Sequence, residues 1–205
     1  MGAKVDFKRQ IEAYRAPRGR VQRIAVPALQ YLMIDGHGDP NTSPRFAQGI
    51  GALFPLAYKL KFHSKNELRR DYVVMPLEGL WWAEDMGAFT VRRDKSQWLW
   101  TMMTMVPDWI DASLLDLARQ QIGASGASPL LDQVRLERLE EGTCLQTLHV
   151  GSFDDEGGVM GQLHAHAADA GLRLTGRHHE IYLSDIRRSA PDKLRTILRQ
   201  PVTGT

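Results

Sequence analysis

The residues best suited to chemistry lie in one short segment near the end of the chain, residues 178–185, with the sequence HHEIYLSD. If this segment is a strand, Glu180, Tyr182 and Ser184 share one face, and the residues between them face the core. A carboxylate beside a phenol can accept, hold and donate a proton, which is what general acid–base catalysis requires. We therefore predict that Glu180 and Tyr182 are the catalytic residues.

Large aromatic side chains gather in two other segments and limit the kind of ligand that the protein can bind. One segment contains two adjacent tryptophans, and the other carries two tryptophans on one face of a predicted strand. Such rings hold a flat apolar or cationic molecule by stacking. For each tryptophan the alternative is a place in the core, and for Glu78 it is a structural carboxylate that accepts backbone hydrogen bonds. The predicted ligand-binding residues are Tyr72, Glu78, Trp81, Trp82, Trp98, Trp100 and Met102.

Patterns for metal, nucleotide or covalent chemistry are missing from the sequence. His164 and His166 are two residues apart on a predicted helix, so they point in nearly opposite directions. Cys144 is the only cysteine, which rules out an internal disulfide and a cysteine-based zinc site. The sequence has no nucleophile elbow, phosphate-binding glycine loop or dinucleotide fingerprint. We expect neither a metal nor a cofactor.

Composition indicates a globular protein without a strong preference for nucleic acid or membranes. The 205 residues are 43% hydrophobic and 24% charged, with a net charge of +2. That charge is too small to favour a nucleic acid or a membrane surface by itself. No apolar run approaches the roughly 18 residues of a spanning helix, and the first 20 residues lack the apolar part of a signal peptide. We expect a cytoplasmic protein that is a monomer or a weak homodimer.

Hydrophobic periodicity divides the chain into alternating strands and helices. A kink or break is expected near Ala52, because Pro55 lies inside the first helical pattern and has no amide hydrogen. Predicted strands are residues 29–35, 71–77, 97–106, 134–139, 145–150, the Glu180 segment and 194–198, the last ending before Pro201. Predicted helices are residues 44–62, 108–122 and 154–171.

The order of these elements repeats. Leu-Gln-x-Leu occurs at residues 29–32 and 145–148, and Leu-x-Thr occurs at residues 99–101 and 194–196. The repeat predicts an α+β fold of two strand-helix-strand-strand modules related by a pseudo-twofold axis, with a ligand cleft between them. The predicted domain, residues 21–205, consists of module one (21–122), a linker (123–128) and module two (129–205). The basic residues 1–20 are expected to form a surface helix or a loosely held arm.

Several segments together resemble the GyrI-like small-molecule-binding family. They are residues 36–41, 71–82, 98–103, 141–142 with 149–151, 178–185 and 194–199, and they span residues 20–202 in order. The resemblance implies the duplicated fold with an interface cleft, and it implies that Glu180 is the acid of the pocket. In relatives fused to DNA-binding domains this acid meets cationic drugs, whereas the stand-alone members resemble cyclopropanoid hydrolases. Pro55 departs from the family, in which this helix tends to continue.

The resemblance and the acid beside a phenol lead to one leading hypothesis for function. We expect a hydrolase that adds water to the strained cyclopropane ring of flat, apolar, electrophilic compounds of the DNA-alkylating type, and so detoxifies them. Glu180 would deprotonate the water, and Tyr182 or Tyr72 would donate a hydrogen bond to the oxygen that becomes negative. The main alternative is a non-catalytic binder or sensor of hydrophobic cations. A third is a protein-interaction partner, such as an inhibitor of a DNA-processing enzyme.

Overall fold

The computed structural model describes residues 3–85, 92, 94–123, 128–185 and 188–204. Within these ranges an antiparallel sheet of nine strands carries helices on one face. The strands are β1 (Gln22–Val26), β2 (Leu29–His37), β3 (Glu78–Trp82), β4 (Leu99–Met105), β5 (Arg135–Leu139), β6 (Gly142–Val150), β7 (Leu172–Leu174), β8 (His178–Tyr182) and β9 (Arg195–Gly204). The α-helices are α1 (Phe7–Gln10), α2 (Pro44–Asn66), α3 (Ala112–Gly123) and α4 (Glu156–Asp169).

The strand order shows the predicted duplication directly. The sheet runs β1-β6-β9-β8-β3-β4-β2-β5, and β7 pairs with β9 outside this path. From the central β8–β3 pair outward, the order β3-β4-β2-β5 in one half matches β8-β9-β6-β1 in the other. The outer strands are exchanged, because β1 precedes β2 in the chain but pairs with β6, while β5 precedes β6 but pairs with β2. The α+β fold of two related modules is therefore confirmed.

The two faces of the sheet are covered differently. We call the face that carries Trp81, Glu180 and Tyr182 the helix face, because α2 and α4 pack on it. The other face, here the rear face, carries Glu78 and residues 179 and 181 and is covered by the segment before β1. Strand β4 is buried on both faces, as its two apolar sides predict. In the described part of the chain, no helix is both long and apolar enough to cross a bilayer.

The predicted strand at residues 71–77 is wrong, and the strand begins only at Glu78. Residues 71–77 are extended, but only Tyr72 forms a bridge, with Val5. Pro76 has no amide hydrogen that could form a hydrogen bond to a neighbouring strand. The Met75 carbonyl accepts a hydrogen bond from the Thr104 side-chain hydroxyl at 3.2 Å. The later start of the strand matters for function, because it leaves Tyr72 outside the central β3–β8 pair.

Of the predicted kink or break in the first helix, the break is wrong, because α2 continues through Pro55 as one helix. An internal proline costs about 3 kcal/mol. Leu53, Leu56 and Leu60 on the same helix are each at most 1% exposed, and burying a leucine stabilises by about 1.5–3 kcal/mol. Packing of three such side chains outweighs the lost hydrogen bond. The last strand likewise continues past Pro201 to Gly204.

The basic N-terminal segment forms a short surface helix, α1, and is held by buried residues rather than loosely. Ala13 and Tyr14 are only 1% and 4% exposed. The Tyr14 hydroxyl donates to Glu78 Oε1 at 2.6 Å, and Arg199 Nη2 donates to the Ala13 carbonyl at 2.6 Å. These two buried residues were not predicted, because the many lysines and arginines around them indicated a surface segment. The predicted linker, residues 123–128, falls mostly on residues 124–127, which lie outside the described residues.

Candidate functional site

A cavity of about 250 Å³ lies on the helix face, above the central β3–β8 pair. Strands β3 and β8 form its floor, the start of α2 and the residues before β4 form one wall, and α4 forms the other. Its position between the two halves matches the predicted cleft between modules. The lining residues are Pro40, Asn41, Phe46, Trp81, Lys95, Trp98, Phe153, Glu156, Gly157, Met160, Gly161, His164, Glu180 and Tyr182.

A chain of hydrogen bonds crosses the floor of the cavity. The Trp81 indole Nε1 donates to the Tyr182 hydroxyl at 3.0 Å, and that hydroxyl donates to Glu180 Oε2 at 2.8 Å. The antiparallel register explains the contact, because Gly79 pairs with Glu180 and strand alternation brings all three side chains to the same face. Glu180 is 8% exposed. The arrangement holds one buried carboxylate in a fixed orientation at the cavity floor.

Gly79 leaves the space in which this chain of hydrogen bonds forms. A Cβ atom placed on it would lie 2.7 Å from Trp81 Nε1 and 3.1 Å from the Tyr182 hydroxyl. We expect Gly79→Ala to separate Trp81 from Tyr182 and to lower the free energy of unfolding by about 1–3 kcal/mol, as overpacking does. Urea unfolding measures the loss. Gly204→Ala is the control, because a Cβ there meets no atom within 4 Å, and equal stability in both variants would contradict the prediction.

The charge state of the site follows from its burial. The pKa of Tyr182 lies well above its usual value, mainly because the side chain is buried and secondly because the Glu180 carboxylate is near. The phenol therefore stays protonated and remains a donor to Glu180. The pKa of His178 is lowered to about 3, mainly because the side chain is buried and secondly because His164 and His179 are near. His178, with Nε2 3.6 Å from Glu180 Oε1, is therefore neutral near pH 7.

The neutral state of His178 makes the protein less stable in acid. An unfolded histidine has a pKa of about 6.5, so between this value and about 3 the unfolded chain binds a proton that the folded chain does not. Stability therefore falls as the pH drops through this window. When the pH is lowered from 6.5 to 4.5, we expect the free energy of unfolding to fall by about 2 kcal/mol more in the parent than in His178→Gln. Urea unfolding at both pH values tests this, with His166→Gln, at an exposed histidine, as control; parallel losses in parent and His178→Gln would contradict it.

Aromatic rings form the walls around the acid. Trp81 and Trp98 meet edge to face with ring centres 5.8 Å apart, and Phe153 meets Tyr182 in the same way at 5.7 Å. The ring centre of Phe46 lies 6.1 Å from that of Trp81. The Lys95 ammonium lies 5.8 Å above the Trp98 ring and 3.6 Å from Asp154. The cavity thus offers apolar walls, buried acid and one cation near its rim.

Four of the nine residues predicted from the sequence line this cavity: Trp81, Trp98, Glu180 and Tyr182. Trp100 and Met102 share the helix face but are fully buried, and Trp100 packs edge to face on Phe46 at 5.2 Å. Tyr72 packs against Trp109, with ring centres 6.1 Å apart. The structure does not bring these three residues to the cavity.

The remaining two predicted residues, Glu78 and Trp82, lie on the rear face of the sheet. Their positions in β3 alternate with Gly79 and Trp81, so both point away from the cavity. The guanidinium of Arg177 lies 3.7 Å above the Trp82 ring. Glu78 is 0% exposed and takes part in a buried network of charges. Glu78 thus has buried partners on the rear face, but they are the side chains of Tyr14 and His179 rather than the backbone amides that the structural alternative expected.

That network, here the rear charge cluster, consists of Tyr14, Glu78, Glu141, His179 and Arg199. His179 Nε2 lies 3.0 Å from Glu78 Oε2, and its Nδ1 lies 2.9 Å from Glu141 Oε1. Arg199 Nη1 donates to Glu141 Oε2 at 2.8 Å. Burial alone would raise the pKa of Glu141, but the charges of His179 and Arg199 lower it to about 2. Burial opposes a charged His179 too, yet the charge of Glu141 and the hydrogen bonds to Glu141 and Glu78 raise its pKa.

Helix α4 supplies cavity residues that sequence reasoning missed. Glu156 is 4% exposed, lies in the first turn of α4 and is close enough to add to the raised pKa of Tyr182. From the sequence, Glu156 was explained as an acidic residue that suits the N-terminus of a helix, so it was not predicted to line a cavity. Phe153 precedes the helix, and Met160 and His164 follow one and two turns later. No group of acidic, histidine or cysteine residues suited to a metal occurs among the described residues.

Comparison with known proteins identifies the family. Three crystal structures of Listeria innocua proteins each align with 98% of this chain and 100% of their own. One, an uncharacterized conserved protein, is 38% identical with a TM-score of 0.88; two that are described as hydrolases are 35% and 36% identical, with TM-scores of 0.84 and 0.85. No curated protein has significant similarity to this sequence. The family model of the GyrI-like small molecule binding domain matches residues 21–202, and the chain therefore belongs to the GyrI-like small-molecule-binding domain family.

Proposed function

We propose that this protein is a hydrolase that adds water to the strained cyclopropane ring of flat, apolar, electrophilic molecules. The observation that carries the proposal is a buried carboxylate, Glu180, which accepts a hydrogen bond from Tyr182 at the floor of an aromatic cavity. The similarity to two proteins described as hydrolases, at 35% and 36% identity, supports the reaction class. The DNA-alkylating type of substrate is what the resemblance to cyclopropanoid hydrolases implies, and the aromatic wall of Phe46 and Trp98 facing α4 suits a flat molecule.

Glu180 acts as the general base in this proposal. A base must lie within hydrogen-bonding reach of the proton that it removes, and Glu180 lies at the floor, where a bound ring covers it. The hydrogen bond from Tyr182 fixes the rotamer of the carboxylate, while Trp81 fixes Tyr182 in turn. Such fixed geometry places a water molecule between the base and the ring, which is the proximity contribution to catalysis. Tyr182 is thereby assigned a positioning role in place of the predicted donor role, because its single hydroxyl proton is already donated to Glu180.

The proposed step balances without a cofactor. Glu180 takes one proton from water while the water oxygen bonds to a ring methylene carbon. The ring carbon–carbon bond breaks, and its electron pair passes into the conjugated dienone to give a phenolate. Lys95, which lines the cavity, stabilises the phenolate oxygen electrostatically, and the proton held by Glu180 then passes through solvent to the phenolate, which restores the carboxylate. The product is the substrate plus one water, and it has lost the ring that alkylates nucleophiles, which accounts for detoxification.

The proposed activity needs a small-molecule partner and no macromolecule. The near-balanced charge of +2 gives no reason to involve nucleic acid directly. We propose that the protein acts in the cytoplasm, as a monomer or weak homodimer.

Turnover of a spirocyclopropyl cyclohexadienone tests the function. We expect the parent protein, in water labelled with heavy oxygen, to convert the dienone to a phenol that carries one labelled oxygen. Loss of the dienone absorbance gives the rate, and mass spectrometry of the product gives the label. Boiled protein is the control. Recovery of intact substrate at the uncatalysed rate would contradict the proposal.

A second candidate is a binder that sequesters hydrophobic cations without turnover. The observation in its favour is that two carboxylates, Glu156 and Glu180, line an aromatic cavity, a setting that attracts cations. In this case a planar cation quenches tryptophan fluorescence, while the cyclopropane substrate is recovered intact. The same pair of measurements thus separates the two candidates.

A further inference from the structure

Helix α4 contains three glycines in its first half, Gly157, Gly158 and Gly161. Glycine is among the poorest helix formers, so a glycine inside a helix needs a reason in packing or in function. At Gly161 packing gives none, because an added Cβ meets no atom within 4 Å. Its backbone is ordinary for a helix, since it is not among the glycines with positive φ.

The reason lies in the cavity. Gly157 and Gly161 are four residues apart and share one face of α4 with His164, and all three line the cavity. Gly158 lies outside the lining. At Gly157 and Gly161 the α4 wall is helix backbone beside the side chains of Met160 and His164, whereas the facing wall consists of rings, among them Phe46 and Trp98. Gly161 lines the cavity and is also exposed, so a side chain there would enter open space at the edge of the cavity.

We propose that Gly161 determines the width of ligand that the cavity admits. A flat ligand lies between the aromatic wall and the bare backbone of α4 at Gly157 and Gly161, so its width is limited by the side chain at residue 161. The inference rests on the proposed ligand-binding function of the cavity, but it requires no turnover. It assigns the ligands as flat molecules wide enough to reach residue 161, and a three-ring system is tested here against a two-ring one.

Two planar cations of equal charge and different width test the proposal. They are N-methylquinolinium, with two fused rings, and N-methylacridinium, with three, and binding is followed by fluorescence quenching. We expect Gly161→Leu to weaken binding of the three-ring cation by about tenfold or more and of the two-ring cation by less than about threefold. Gly158→Leu, the matched control on the same helix, changes neither affinity. A melting temperature raised by about 2–4 °C in Gly161→Leu shows that the variant is folded.

Other results would contradict the width inference or separate it from the proposed function. Unchanged binding of the three-ring cation by Gly161→Leu would show that residue 161 does not limit width. An equal loss for both cations would show a general effect on the cavity. If the parent binds neither cation but hydrolyses the dienone, the width inference fails while the proposed function stands. If the graded loss occurs but the dienone is recovered intact, the inference stands and hydrolysis fails.

Discussion

Glu180→Gln is expected to lower the rate of dienone hydrolysis by about 10²–10⁴-fold, the usual contribution of a general base. The amide cannot take a proton from water, yet it has the size of the carboxylate and still accepts the Tyr182 hydrogen bond that is 2.8 Å long in the parent. Loss of rate with little loss of stability therefore isolates the chemical role. The measurement is kcat/KM from the fall in dienone absorbance, together with a thermal melt of each variant.

Glu156→Gln is the matched control for that prediction, because it removes a second buried carboxylate from the same cavity. We expect it to retain kcat within about tenfold, since Glu156 is assigned no proton transfer. A Glu180→Gln variant that turns over as fast as the parent would end the general-base mechanism. Equal losses in the two variants would show that the negative charge of the cavity, rather than one base, is what matters.

Arg199→Met is expected to lower the free energy of unfolding by about 3–5 kcal/mol, the cost of breaking a buried ion pair by removing one partner. Arg199 is 1% exposed, and its loss leaves Glu141 buried without its 2.8 Å donor and the Ala13 carbonyl without its 2.6 Å donor. Methionine fills much of the same volume, so a cavity contributes little to the loss. Urea unfolding at pH 7 measures the effect.

Arg195→Met is the control for the rear charge cluster, because Arg195 begins the same strand but is exposed. We expect a change within about 0.5 kcal/mol there. The N-terminal segment gives a second readout, since Arg199 holds the Ala13 carbonyl: proteolysis within residues 3–16 should become faster in Arg199→Met alone. A loss below about 1 kcal/mol with an intact N-terminal segment would show that the buried pair contributes little.

Local patterns predicted the part of the site that depends on one strand. The period of two in residues 178–182 is enough to put Glu180 and Tyr182 on one face, and no distant residue can change that. Repetition of short motifs likewise predicted the two modules, since Leu29–Leu32 and Leu145–Leu148 lie on the matching strands β2 and β6. These features follow from the chain's own geometry.

Features that depend on packing between elements were not predictable in the same way. Trp81 and Trp100 are paired across β3 and β4 on one face, but α2 covers one ring and leaves the other beside the cavity. Glu78 was predicted as a ligand-binding acid because it is a carboxylate beside an apolar strand, but its position in β3 alternates with Gly79 and Trp81, and its partners on the rear face come from distant parts of the chain. Glu156 and Gly161 lie on α4, whose apolar stripe indicated the face that packs on the sheet, including the buried Leu163 and Ala167, but nothing in the sequence indicated that the neighbouring face lines a cavity.

The exchange of outer strands makes each half of the duplication depend on the other. A chain of residues 21–122 would contain β1 without β6 and β2 without β5, and β3 would lose β8, so three strand edges would be left without partners. Unpaired edges invite aggregation. Pairs such as Gln22 with Gln146 also join residues far apart in sequence, and contacts of that kind slow folding. The duplicated modules therefore form one cooperative unit, and its assembly must wait for synthesis of the final strand.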